Sequence, residues 1–334
     1  MIVPDYWAEA RVQGRMQVTE KGRQRSRSAT VRRFGWSNES QAAAQAHAEE
    51  RAQQAWRALL AGERMARRDL KMSYGAPGVP IREEVVARHG AGAAEAVITR
   101  NAYGALCLNT PGVLFADIDF PEPRVSAGLY IWSLAGAAVL AGVALHSWLA
   151  GFALVIAALF AGSGMAVLHE KWLKWRAPEP EGAARARVEA FVAARPEWRA
   201  RLYRTPAGLR VLAMHRLFDP AEPAVAECFA ALQADQVYGW MCQHQHCFRA
   251  RVSPKPWRIG ISAHLRPRPG VWPIRPERMP DRQRWVEAYE RAAQGYAACR
   301  LIGEIGDGAQ DPAARAVQAV HDTLCRAQED LPIA

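Results

Sequence analysis

The run VSAGLYIWSLAGAAVLAGVALHSWLAGFALVIAALFAGSGMAVL, residues 125–168, holds no Asp, Glu, Lys or Arg in 44 positions. Coiled as a helix at about 1.5 Å per residue it would measure roughly 66 Å, twice the ~30 Å of a bilayer's hydrocarbon. One span cannot use that length; two can. The centre, His146-Ser147-Trp148, suits a water–lipid interface, so spans are predicted near 127–145 and 149–168. Gly136, Gly142, Gly151, Gly162 and Gly164 punctuate the run, and small residues let helices approach closely in lipid. The competing reading is an alanine-rich helical hairpin buried in a soluble core.

The flanks orient the hairpin. Arg124 precedes it, while Lys171, Lys174 and Arg176 follow, with Trp172 and Trp175 among them as interfacial anchors. The connecting turn has no cation, so both flanks are expected in the cytoplasm, the bilayer being a bacterial inner membrane. An even number of spans keeps the soluble parts on one side, where they can fold as one body.

The chain has 334 residues, with 43 Lys plus Arg against 33 Asp plus Glu. This net charge of +10 favours a polyanionic partner: nucleotide, nucleic acid or anionic lipid. Half the residues are apolar and 23% are charged, which excludes a wholly disordered chain. Six dispersed cysteines, at 107, 228, 242, 247, 299 and 325, read as reduced thiols without a disulfide partner. Met1–Glu9 has neither a basic nor an apolar leader pattern, so no cleaved signal is expected.

Residues 1–75 read as a basic ββα segment. Tyr6, Ala8, Ala10 and Val12 alternate with polar residues, and Ala29–Phe34 is a second short strand. Between Arg11 and Arg33 stand eight cations, with Lys21, Arg23, Arg25 and Arg27 crowding the turn, and one acid, Glu20. A helix over Glu39–Leu60 is predicted, capped by Ser37 or Asn38. A Gly/Pro linker, Tyr74–Pro80, leads to a short helix at Ile81–Val86. Residues 76–124 continue as a meander of strands at Glu95–Thr99, Tyr103–Leu108 and Val113–Asp119. The hairpin takes 125–170, and residues 177–334 complete the soluble part. There the pattern gives a linker at Pro178–Gly182, a helix at Ala183–Ala194 and strands at Trp198–Thr205 and Leu209–Met214. A helical region at 221–243 and a strand at Phe248–Ser253 follow, then helix, short strand and helix in the last fifty residues. Strands scattered among helices predict an α+β fold, a mixed or antiparallel sheet with flanking helices, interrupted by a two-helix transmembrane hairpin.

Three constellations could carry chemistry. Phe115-Ala-Asp117-Ile-Asp119-Phe120 sets two carboxylates on one face of a strand, about 6.6 Å apart at Cα. Such a pair repels itself unless a cation intervenes, and two Mg²⁺ or Mn²⁺ ions held this way serve phosphoryl and nucleotidyl transfer. Next, Tyr203–Leu212 folds a small-residue turn that brings Arg204, Thr205 and Arg210 toward one edge, suited to phosphate oxygens. Last, Cys247–Arg258 alternates so that Arg249 and Arg251 share a face, with Lys255 and Arg258 beyond. Ten cations and seven prolines between 249 and 284 make a stiff arm able to follow a phosphate backbone or lie on anionic headgroups. The run Cys242-Gln-His-Gln-His-Cys247 packs its potential zinc ligands too closely for one tetrahedron, and reads as a helix end leading into the arginine strand. Walker-type, Gly-x-Ser-x-Gly and His-Glu-x-x-His motifs are absent, which sets aside P-loop ATPases, α/β-hydrolases and zincins.

Together these elements resemble the archaeo-eukaryotic primase (primase-polymerase) superfamily over residues 95–120 and 198–260. Asp117 and Asp119 match that family's Asp-x-Asp, and Thr205–Gly208 matches its small-residue turn. Arg210 stands where its histidine is expected, with His215 the nearest substitute, and the strand at 248–253 lacks its third acid, for which Asp219 is an alternative. With the membrane-anchored, cytoplasm-facing placement read from the hairpin, the resemblance implies a protein that binds nucleotides or nucleic acid or performs metal-dependent nucleotidyl transfer. Asp117 and Asp119 would be the catalytic metal ligands; Arg204, Thr205, Arg210, Arg249, Arg251, Lys255 and Arg258 would bind phosphate. The rival reading is a non-catalytic membrane-tethered interaction protein that binds anionic lipid or nucleic acid through basic faces.

Overall fold

A computed structural model describes residues 1–20, 23–69, 78–121, 125–176 and 179–334. Lys21, Tyr74–Pro77, Arg124 and Pro178, used in the sequence reading, lie outside these residues. The elements in chain order are β1 (Tyr6–Glu20), β2 (Arg23–Ser37), α1 (Gln41–Leu60), β3 (Glu84–His89), β4 (Ala96–Arg100), β5 (Leu106–Thr110) and β6 (Phe115–Asp119). Then come α2 (Ala127–Ala144), α3 (Trp148–Arg176), α4 (Pro180–Ala193), β7 (Ala200–Arg204), β8 (Gly208–Ala213), α5 (Pro223–Leu232) and α6 (Gln236–Gln245). The chain ends with β9 (Phe248–Arg251), α7 (Met279–Ala293), β10 (Arg300–Ile305) and α8 (Pro312–Cys325). The fold is α+β with antiparallel pairing, as expected. It divides into a body of Met1–Ile118 with Val188–Ala334, and a second unit, Asp119–Arg187.

The opening ββα segment is longer than its sequence pattern suggested. β1 and β2 pair over fifteen residues each, from Tyr6↔Ser37 to Glu20↔Arg23. One face of this ribbon presents Ala8, Ala10 and Ala29, and α1 answers with Ala44, Ala48, Ala52 and Ala55, all buried. Spacing of four and three puts those alanines on one helix stripe. The approach is close enough to require glycine: a Cβ on Gly35 would lie 2.2 Å from the Ala48 nitrogen. The cap is Ser40, whose Oγ accepts from the Ala43 amide at 3.1 Å; Ser37 and Asn38 instead accept from Glu39 and Asp5.

Two four-stranded sheets follow, ordered β3-β4-β5-β9 and β10-β7-β8-β6. Two sequence expectations are corrected here. Ile81–Val86 is no helix but the approach to β3 and its first three residues, because Glu83 and Glu84 are drawn apart by distant partners: Arg249 and Thr99 hold Glu83, and Arg282 holds Glu84. Tertiary pairing overrides local propensity. The predicted meander also stops at β5. β6 crosses to the other sheet beside β8, where Leu114 accepts from the Ala213 amide at 3.0 Å.

In the second unit, α2 and α3 match the predicted spans, and both are long and apolar enough to cross a membrane. At 18 and 29 residues they measure about 27 and 44 Å. Only 11% and 22% of their apolar windows are buried, with Trp132, Trp148 and Phe160 fully in view. A soluble core helix would be enclosed instead. α3 runs on to Arg176, so the Lys171–Arg176 anchor is helical, with Arg176 stacked 4.8 Å from the Trp172 ring. The small residues divide by role. A Cβ on Gly142 would meet Gly151 Cα at 2.6 Å and one on Gly162 would meet the Ile131 nitrogen at 2.8 Å, whereas Gly136 and Gly164 face open space.

Candidate functional site

β8 reads Gly-Leu-Arg-Val-Leu-Ala and is buried at every position, so the arginine in its middle must be satisfied from within. Arg210, 2% exposed at its side chain, meets Asp117 of β6 through two bonds, Nε to Oδ1 at 2.7 Å and Nη2 to Oδ2 at 3.1 Å. Its Nη1 donates to the Arg251 carbonyl of β9 at 2.8 Å and lies 3.3 Å from His321 Nε2. One guanidinium thus braces the two sheets. Burial acts to raise the Asp117 carboxyl, but the charge and hydrogen bonds of Arg210 outweigh it and hold the group below the usual carboxylate range. Burial likewise opposes the Arg210 charge, and Asp117 more than offsets it.

Beside this pair opens a cavity of about 250 Å³, lined among others by Tyr103, Asp117, Asp235, Tyr238, Arg249 and Arg251. The alternation predicted for β9 is present: Phe248 and Ala250 are buried, while Arg249 and Arg251 turn toward the cavity. Arg249 is committed to Glu83, both of whose oxygens accept from Nη2 at 2.7 Å. Arg251 lines the same cavity, and its Nε has no hydrogen-bond partner among the described residues. Across the cavity, Tyr238 of α6 donates to the Phe115 carbonyl at 2.9 Å, and Asp235 caps α6 by accepting from Val237. Two of the cavity's charges, Asp117 and Arg249, are therefore cancelled by Arg210 and Glu83.

The structure gathers Asp117, Arg210, Arg249 and Arg251, and leaves the other predicted site residues outside the cavity lining. Asp119 is exposed at the end of β6. Arg204 donates to the Gly208 carbonyl at 3.0 Å and to that of Thr205, while Thr205 Oγ1 accepts from the Gly208 amide at 3.0 Å; both close the β7–β8 turn. Lys255 lies over the Trp257 ring at 5.4 Å, and Arg258 ends a short 3₁₀ turn. His215 packs against Trp198 and Phe218, and Asp219 caps the turn before α5 through the Ala221 amide.

A buried network on the far side of Arg210 escaped the sequence reading. His321 Nδ1 lies 3.0 Å from Asp322 Oδ1, which also accepts from the Tyr203 hydroxyl at 2.7 Å. Gln318 and Arg201 hold the other Asp322 oxygen at 2.6 and 3.0 Å. Cys325 Sγ is 3.4 Å from His321 Nε2, and Cys299 completes a fully buried group of three. A hydrogen bond from Cys325 overcomes burial and holds the Cys299 thiol below its usual range. The available signal was His321 and Cys325 standing four residues apart, one helical turn on α8. The conspicuous run at 242–247 is, as read, a helix end: α6 stops at Gln245, His246 takes φ 48°, and β9 begins at Phe248. Comparison of the chain with protein-family models, with curated proteins and with solved structures returns no match.

Proposed function

We propose that this is an integral membrane protein, anchored by α2 and α3 with its soluble body in the cytoplasm, that binds a nucleotide or similarly sized phosphorylated ligand without transferring it. The observation that carries the reading is the charge pattern of the cavity. With Asp117 cancelled by Arg210, Arg249 by Glu83, and Asp235 turned to the Val237 amide of α6, Arg251 supplies the cation that faces a ligand, and Tyr103 and Tyr238 offer it aromatic surfaces. A volume of about 250 Å³ sits near the lower edge of the ~300–1,000 Å³ of small-molecule sites, which suits a mononucleotide. Two-metal transfer needs carboxylate oxygens free for cations; both oxygens of Asp117 are engaged by Arg210.

The test is equilibrium binding of labelled nucleoside phosphates to the full chain in detergent. Binding should persist in EDTA and weaken with salt. Arg251→Ala should lower affinity about 10–100-fold, the worth of a charge-assisted contact. Mn²⁺-dependent nucleotide incorporation abolished by Asp117→Ala would reinstate the transferase reading. A second reading, binding of anionic lipid or nucleic acid, is favoured by the exposed Arg11, Arg15, Arg25 and Arg27 on β1 and β2. Cosedimentation with anionic vesicles or nucleic acid, unaffected by Arg251→Ala, would select it.

A further inference from the structure

The buried group beyond Arg210 has the makings of a metal site. Cys299 directly precedes β10, and His321 and Cys325 share one face of α8, so the three residues join two consecutive elements at the end of the chain. Their ligating atoms lie within 4.8 Å of one another, and all three residues are buried. Zn–S bonds of about 2.3 Å and Zn–N bonds of about 2.0–2.1 Å place sulfur and nitrogen roughly 3.5 Å apart around a tetrahedron. Cys325 Sγ and His321 Nε2 are 3.4 Å apart. The other ring nitrogen faces Asp322, itself held by Tyr203, Gln318 and Arg201. A carboxylate behind a histidine in this way fixes Nδ1 as the donor and turns the Nε2 lone pair inward, the usual support of a histidine ligand.

We propose that Cys299, His321 and Cys325 bind one Zn²⁺ ion as a structural clasp between α8 and the start of β10. Charge selects the ion. Two thiols that lose their protons to one divalent cation leave the charge of the enclosed group unchanged, whereas a monovalent copper ion would leave one negative charge uncompensated. Loading takes from Arg210 only its contact with Nε2; its bonds to Asp117 and the Arg251 carbonyl remain. The three residues are sealed from solvent, so the ion holds structure and meets no substrate. The site does not depend on the ligand-binding reading of the cavity.

The full chain, purified in detergent from zinc-supplemented cells without a metal-affinity tag, should carry one zinc per chain by elemental mass spectrometry. Exchange for Co²⁺ should give thiolate-to-cobalt charge-transfer absorption with the intense visible bands of tetrahedral cobalt. Cys299→Ser and Cys325→Ser should each abolish the charge-transfer band or shift it, and His321→Gln should weaken the visible bands. Cys228→Ser and Arg251→Ala should leave both intact, the latter even where nucleotide binding fails. Should the ligand variants not fold, the wild-type chain still decides. Substoichiometric zinc with no cobalt bands overturns the proposal. So does a Cys299–Cys325 disulfide in protein isolated without reductant, or a cobalt spectrum unchanged in Cys299→Ser.

Discussion

Asp117→Ala separates two accounts of the β6 carboxylates. If Asp117 and Asp119 were a mutually repelling pair awaiting a cation, removing one would relieve repulsion and stabilise the chain. If Asp117 is the counter-charge of Arg210, its removal strands an enclosed guanidinium that cannot lose its proton. Breaking a buried ion pair from one side costs about 3–5 kcal/mol. Asp117 is 34% exposed at its side chain, so solvent screens part of the attraction, and the expected loss is about 2–4 kcal/mol. For a body of this size that lowers Tm by about 4–16 °C, readable by circular dichroism of the full chain in detergent. The double variant Asp117→Ala/Arg210→Met should be more stable than the sum of the single losses predicts, since each removes the other's orphan. The pH dependence has a definite sign. The folded carboxyl sits below its unfolded value near 4, so its contribution is present above that value and disappears as pH falls through the folded one. Asp117→Asn should lack that acid limb. A neutral or stabilising Asp117→Ala would refute the brace.

Two further outcomes test other parts of the chain. Gly142→Leu and Gly162→Leu should each destabilise the α2–α3 hairpin by about 1–3 kcal/mol through overpacking, while Gly136→Leu and Gly164→Leu, facing open space, should not; detergent-resistant helicity on heating reads the difference. Burial pushes the Tyr289 hydroxyl up to about 12, between Ser253 at 2.6 Å and the Pro254 carbonyl at 2.7 Å. An unfolded tyrosine ionises near 10, so Tyr289 contributes to a fall in stability between pH ~10 and ~12, alongside the likewise raised Tyr103, Tyr203 and Tyr238; Tyr289→Phe should make that fall shallower while costing about 1–3 kcal/mol at neutral pH.

What could be read in advance follows from the range of the forces involved. The 125–168 run announced itself because hydrocarbon thickness and helix rise need no knowledge of the rest of the fold. The β9 alternation was legible for the same reason, burial having a period of two. Ile81–Val86 was misread because Glu83 and Glu84 answer to Arg249 and Arg282, 166 and 198 residues away. β6 looked like the third strand of a meander, since nothing local says which neighbour a strand will choose. The site was half visible. Asp117, Arg249 and Arg251 do meet at one cavity, but that Glu83 cancels Arg249 and that Arg204 closes its own turn are facts of tertiary pairing. Cys299, His321 and Cys325 went unnoticed because four-residue spacing on a helix is common and the third ligand lies outside that helix, just before β10.

Position 210 ties these observations together. A histidine there would titrate near neutrality and offer one nitrogen at a time. Arginine keeps its charge and presents a planar fork that fits a carboxylate through two bonds. With Arg210 in place Asp117 is saturated, and an acidic strand that could have held cations becomes a brace between two sheets. The same guanidinium fixes the Arg251 carbonyl, which sets the backbone from which the Arg251 side chain reaches the cavity. On its other side it abuts His321, whose second nitrogen is held by Asp322. Arg210 thus joins two halves of the body: on one side it engages Asp117 and the Arg251 carbonyl, and on the other it abuts the imidazole of His321, which stands on α8 in the company of two thiols.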